Sequence, residues 1–204
     1  MRTLIAALAA IVLAGCATPS TFEYTHKGEG VSQIDFKGRK VAAVVMGQGV
    51  NQALRVNAED VLAKVLSERG MQGVASHSIL PMATLEPMTR ERAVGMLRQA
   101  GVAGAVVLKL VDTKKKTVST QWASSDFRRS VNNYNYFGPI GKEGDTYDRN
   151  ITTITIETTL FGLEPFETLW AGQSQSVDPA KVSAFIPQFA RSVGDELRRA
   201  GLVK

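Results

Sequence analysis

The chain has a single cysteine, Cys16, and two histidines, His26 and His77, among 204 residues. One thiol excludes an intrachain disulfide framework and a cysteine-rich metal site. Two histidines leave little for a histidine metal centre, which normally draws on several His, Cys, Asp or Glu side chains in supporting positions. Beyond the first turns no apolar run approaches the length of a transmembrane helix. Charge of one sign is also scarce. The net charge is +5, and Arg2 accounts for one unit of it. A balance so modest asks for solubility and nothing more, although a mild attraction to anionic lipid or cell-wall polymer is compatible with it. Hydrophobic content of 44% and charged content of 21% are those of an ordinary globular domain with a sizeable core.

The strongest positive signal is at the start. Arg2 is followed by the apolar run Leu4 to Leu13, of signal-peptide length, and then by small residues leading into the lone thiol. Leu13-Ala14-Gly15-Cys16 resembles the lipobox of bacterial lipoproteins. That resemblance implies that the leader 1–15 is removed and that Cys16 carries covalent lipid, palmitate among it. Several acyl chains hold a protein on a bilayer far more firmly than one. Ala17 and Thr18 follow the cysteine with no aspartate. In lipoproteins of enteric-type bacteria this resembles sorting to the periplasmic face of the outer membrane. Residues 16–38 are rich in Thr, Pro, Ser and Gly and read as a lipidated tether, with Ser32–Phe36 as a short edge strand. Residues 39–204 then form one periplasmic domain.

Within that domain Lys40–Met46 is a short, continuously apolar run and reads as a buried strand. Asn51–Arg69 changes to helical spacing, with Leu54, Ala58, Val61, Leu62, Val65 and Leu66 on one stripe and Gly70 as its stop. Gln72–Ser76 is a second strand. Thr89 caps a second helix that ends before Gly101, and Ala103–Val111 is a third apolar strand. Right-handed crossovers between buried parallel strands follow, with both helices expected on one face. Lys114-Lys115-Lys116 reads as the end of this unit. Asn150–Phe161 alternates as a half-buried strand, and Gly162–Pro165 turns it back into Glu167–Val177 as an antiparallel hairpin. Asp178-Pro179 opens a last apolar helix to Ala200, which either begins near Pro187 or kinks there. The fold class is therefore α/β, α+β-like, with a mixed sheet of about five strands in the order β-α-β-α-β, then a hairpin and a C-terminal helix, helices mainly on one face.

Several candidate sites dissolve under inspection. Gly47-Gln48-Gly49 lies between strand and helix, where a phosphate loop would sit. Gln52 stands where a dinucleotide fingerprint needs glycine, and the Gly-Lys-Ser/Thr of a P-loop is absent. The glycines read as a tight turn. His77 has Ser76 and Ser78 beside it but no carboxylate near in sequence. Because triads assemble in space, a hydrolase built on His77 stays as an alternative, and the plain reading is a partly exposed surface histidine. Glu143, Asp145 and Asp148 do not match a calcium loop. The stretch 122–150 is a long loop without sustained period. Its aromatics and arginines, Trp122, Phe127, Arg128, Arg129, Tyr134, Tyr136, Phe137 and Tyr147, suit a partner surface.

The element order in 39–203 is similar to that of the small envelope lipoproteins related to the penicillin-binding-protein-activating and curli-secretion lipoproteins. Lys40-Val-Ala-Ala-Val-Val, the helix end Ser67-Glu-Arg-Gly70 and the hairpin end Leu169–Ser174 carry the likeness. It implies a mixed sheet with helices on one side and brings no catalytic motif. The curli-secretion pores carry long membrane hairpins of alternating residues, and Trp122–Tyr147 lacks that alternation, so pore formation is not expected. The function read from the sequence is a non-enzymatic envelope adaptor or accessory factor, with no cofactor beyond the lipid on Cys16, no metal and no nucleic-acid partner. It meets the bilayer through its acylated N-terminus and binds an envelope protein. The alternative is a lipoprotein that holds a glycan or small molecule. Replacing Cys16 with Ser is expected to abolish palmitate incorporation in a bacterial host and to leave the leader uncleaved. Label persisting in that variant would refute the lipobox reading.

Overall fold

The computed structural model describes residues 21–28, 36–80, 89–121, 146–177 and 182–203. The elements are β1 (Thr21–Lys27), β2 (Lys40–Gly47), α1 (Gln52–Glu68), β3 (Gln72–Ala75), a 3-10 turn (Ser76–Ser78), α2 (Arg90–Gln99), β4 (Val102–Gln121), β5 (Thr146–Leu163), β6 (Phe166–Val177) and α3 (Val182–Arg199). The described strands form one mixed sheet in the order β1-β6-β5-β4-β2-β3. β3, β2 and β4 run parallel. β4, β5, β6 and β1 alternate in direction.

β2 is buried from Val41 to Val45 because both faces of the sheet are covered. Val41, Ala43 and Val45 pack toward α1 and α3, with Leu62, Leu66, Phe189 and Val193. Ala42 and Val44 point the other way, into a smaller core with Leu97 of α2. The two crossover helices therefore lie on opposite faces, not on one as the sequence suggests. The strand order explains it. The β2–α1–β3 crossover steps to one side of β2, and β3–α2–β4 steps back across it. Two right-handed crossovers in opposite directions place their helices on opposite faces. The larger face still carries two of the three described helices.

Local signals set the helix ends. Asn51 caps α1 by accepting the Leu54 N–H at 2.8 Å, and Gly70 closes it at φ +84°. Thr89 caps α2 through the Arg92 N–H. Pro187 is the sixth residue of α3, so the helix neither begins there nor carries it in the first turn, and one i→i−4 backbone bond is given up. The start foreseen at Asp178-Pro179 lies outside the described residues.

Two strand assignments change. Thr21–Lys27, read as tether, is the edge strand β1, antiparallel to β6. Its Phe22 meets the buried Trp170 edge-on, with ring centroids 5.7 Å apart. Phe36 is buried but lies outside any strand, and 32–35 are not among the described residues. The lysine triplet does not end the unit either, since β4 runs on through it to Gln121, and β5 begins at Thr146, inside the stretch read as loop.

α1 packs so closely on β3 that a Cβ at Gly73 would stand 1.9 Å from the Ala63 carbonyl oxygen, whereas one at Gly95 in α2 would meet nothing within 4 Å. Gly73→Ala is expected to cost about 1–3 kcal/mol or more, and Gly95→Ala to add about 0.5–1 kcal/mol. Thermal melts of the two variants should move in opposite directions.

Candidate functional site

The residues chosen from sequence as a partner surface divide in two. Trp122, Phe127, Arg128, Arg129, Tyr134, Tyr136 and Phe137 lie outside the described residues. Tyr147 is placed in β5, opposite Thr120 of β4. Glu143 and Asp145 are likewise outside, and Asp148 pairs with Ser119.

What carries this segment is a two-stranded arm. β2 accompanies β4 only to Leu110, and β6 accompanies β5 only as far as Thr153. Beyond these points Lys115–Gln121 and Thr146–Thr152 pair with each other alone among the described strands. At about 3.4 Å per residue this arm extends roughly 20 Å past the sheet. A bulge at Val111 separates it from the body: Leu110 faces Ile156, and Asp112 already faces Thr155. The extra residue resets which side chains share a face. Thr113 and Lys115 then lie with Thr152 and Ile154 on the α1/α3 side, and Asp112, Lys114 and Lys116 on the other. Lysines on both faces give the arm no apolar row of the kind a lipid-facing strand needs. No described helix is long and apolar enough to cross a membrane.

On the α1/α3 side, at the root of the arm, lies an open apolar groove of about 400 Å³. Its floor is Val45, Leu108, Leu110, Ile154 and Ile156. α1 supplies Leu54 and Ala58 as one wall, and Phe185, Ile186, Phe189 and Ala190 of α3 supply the other. Phe185 and Phe189 stack with centroids 5.5 Å apart. The two helices meet further along, where Gly194 abuts Val65 and Arg69 pairs with Asp195. The groove occupies the gap between their N-terminal halves. Thr113 and Thr152, at the arm, supply its polar side chains.

The glycine loop after β2 behaves as a turn. Gly47 has φ +145° and Gly49 φ +78°, and a Cβ at Gly47 would stand 2.7 Å from that of Leu110.

His77 does have an acid near it in space, which the sequence order hid. Its Nε2 lies 2.8 Å from Asp60 Oδ1, one helical position from the fully buried Glu59. The neighbouring hydroxyls are engaged elsewhere. Ser76 Oγ donates to Glu59 Oε1 at 2.8 Å, and Ser78 Oγ donates to the Ala75 carbonyl at 2.7 Å. Glu59 is the centre of this cluster. It accepts from Arg55 Nε at 2.9 Å, from the Val45 N–H at 3.2 Å and from the His77 N–H at 2.7 Å. β3 stops opposite Ala43, so Val45 lies beyond the last β2–β3 pair, and the carboxylate takes the place of the missing strand. This is a structural clamp with every oxygen occupied. Its signal in the sequence was only an Arg–Glu pair at i, i+4 on the edge of an apolar stripe. Among the described residues no group of three or more His, Cys, Asp or Glu is placed to hold a metal ion.

No family model and no curated protein matches the chain. Among solved structures it is similar to the PelC dodecamer of Paraburkholderia phytofirmans, at 9% identity and a TM-score of 0.49, over 85% of this chain and 94% of that one. A variant of the same dodecamer gives 10% identity and a TM-score of 0.47 over the same shares. A lipoprotein of Neisseria meningitidis gives 13% identity and a TM-score of 0.41, over 79% of this chain and 99% of that one.

Glu59→Ala leaves the Arg55 guanidinium without its buried partner and is expected to cost about 3–5 kcal/mol. Asp60→Ala removes the contact to His77 from a carboxylate that is mostly exposed, a change of about 1 kcal/mol or less. Urea midpoints of both variants check the contrast.

Proposed function

We propose that this chain is a lipid-anchored protein of the bacterial envelope, held through Cys16 at the periplasmic face of the outer membrane. It acts without enzymatic chemistry as an adaptor or accessory factor, presenting the end of the β4–β5 arm to another envelope component. The observation that carries this reading is the arm itself. A two-stranded ribbon is marginally stable alone in water. One that outruns every described neighbour and bears lysines on both faces contributes little to the fold that supports it. Its strand ends, Gln121 and Thr146, bracket residues 122–145, whose aromatics and arginines suit a partner surface. The lipobox supplies the compartment, and the commitment of the Ser76 and Ser78 hydroxyls away from His77 weighs against a serine hydrolase.

A ligand-binding role is the second reading, and the groove favours it. Its walls are apolar, which suits a hydrocarbon better than a glycan, whose hydroxyls would be left without partners.

The test is crosslinking in living cells. Tyr134, Tyr136 and Phe137 replaced together by Ser are expected to lower recovery of crosslinked envelope partners at least about tenfold, the loss of a small cluster of aromatic anchors. The melting temperature of the domain should not change. Undiminished recovery of every partner would dispose of the adaptor role.

A further inference from the structure

We propose that the groove between α1, α3 and the sheet takes the acyl chain of an anionic membrane lipid, with its tail against Leu54, Leu108, Ile154 and Phe185 and its head at Lys115. The placement beside a bilayer rests on the lipid-anchor reading above, and the binding chemistry does not.

Three observations support the assignment. The cavity, about 400 Å³, lies in the range of small-ligand sites, and its lining is apolar except at one end. Phe185 and Phe189 stack on each other along the α3 wall, and the close contact of Gly194 with Val65 fixes α3 against α1 beyond the groove.

The polar end carries the right charge. Lys115 follows Thr113 by two positions and pairs with Thr152, so it stands on the groove's own face, next to the two threonines that line it. It is exposed. The start of α1, with Val50 and Leu54 in the lining, adds its positive dipole end at the mouth. Among the described residues no acidic side chain lines the groove, and the bulge at Val111 turns Asp112 to the opposite face. An apolar trough with positive charge at one rim matches an amphiphile with a negative head. The acyl groups carried by Cys16 itself are joined through uncharged ester and amide links and have no such head.

The chain's reach puts this end near a membrane. Thr21 pairs with Gln175, Gln175 with Thr155, and Thr155 with Asp112. The first described residue therefore lies in the same row of the sheet as the root of the arm. Cys16 precedes Thr21 by five positions, a span of at most about 17 Å.

The experiment uses the full-length chain and two probes that share one tail, oleoyl-lysophosphatidylglycerol and oleoyl-lysophosphatidylcholine, with native mass spectrometry as the readout. The expected result is a one-to-one complex with a preference of about fivefold for the anionic head, the worth of one exposed ion pair. Lys115→Glu should erase that preference without changing the melting temperature. Leu54→Glu, which places a carboxylate in the trough at a helix start that tolerates it, should weaken both probes by more than about tenfold. No one-to-one complex, equal affinity for the two heads, or full binding by Leu54→Glu would overturn the proposal. Cys16→Ser is expected to bind as the parent chain does. If the parent refuses the probes and Cys16→Ser accepts them, the occupant is the chain's own acyl group and the proposal falls. If Cys16 proves unacylated while the probes still bind with the stated preference, the anchor reading fails and the groove assignment stands.

Discussion

β4 has parallel hydrogen bonding to β2 along one edge and antiparallel bonding to β5 along the other. The two halves of the molecule are different kinds of structure. One is a pair of crossovers whose strands are buried on both faces, and the other is a meander closed by β1. Among the described strands, only the β4 backbone joins them into one sheet. Its apolar residues serve both cores: Val106 and Leu108 face α1 and α3, while Val102 and Ala105 face α2. The same strand, continued past its neighbours, becomes half of the arm. Body and arm are thus one continuous ladder, and the rigidity of the arm's root comes from the buried part of β4.

The Glu59 clamp solves a problem that this topology creates. β3 is only Gln72–Ala75, which protects the sheet edge from pairing with other chains but leaves part of β2 uncovered. A carboxylate from α1 meets the Val45 and His77 amides and the Ser76 hydroxyl there, and Arg55 neutralises it. Helix, strand and turn are fixed at a single point, close behind the wall of the apolar groove. Burying an ion pair is weak support for stability in itself. Here its effect is geometric, because it sets the register of α1 against β2 and so the position of Leu54 and Ala58.

Much of this architecture was legible in the sequence wherever burial dictated the pattern. The apolar run of β2, the stripe of α1, the caps at Asn51 and Thr89 and the stops at Gly70 and Gly101 all appear where hydrophobic spacing and turn chemistry place them. The hairpin of β5 and β6 follows from alternation in the same way. What escaped was decided by long-range partners. β1 is polar enough to pass for a tether, and only β6 makes it a strand. Thr113–Thr117 at the root of the arm are exposed and carry no apolar pattern, so three consecutive lysines looked like an ending. The face taken by α2 depends on strand order, which periodicity does not encode. Glu59 lies on the edge of an apolar stripe, where a charge is normally solvated. The groove was invisible because its residues come from β2, α1, β4, β5 and α3, each of which looks like plain core when read alone.

The extra residue at Val111 separates the geometry of the sheet from that of the ribbon beyond it. Side chains on one side of this point obey the packing of the core, and those on the other obey only their own two-residue alternation. β5 crosses the same point with its alternation unbroken, Thr152, Ile154 and Ile156 on one face, and the bulge is what brings Thr113 and Lys115 of β4 onto that face beside them. The side chains at the mouth of the groove are thus chosen by one irregularity in one strand, with the scaffold below it unaltered.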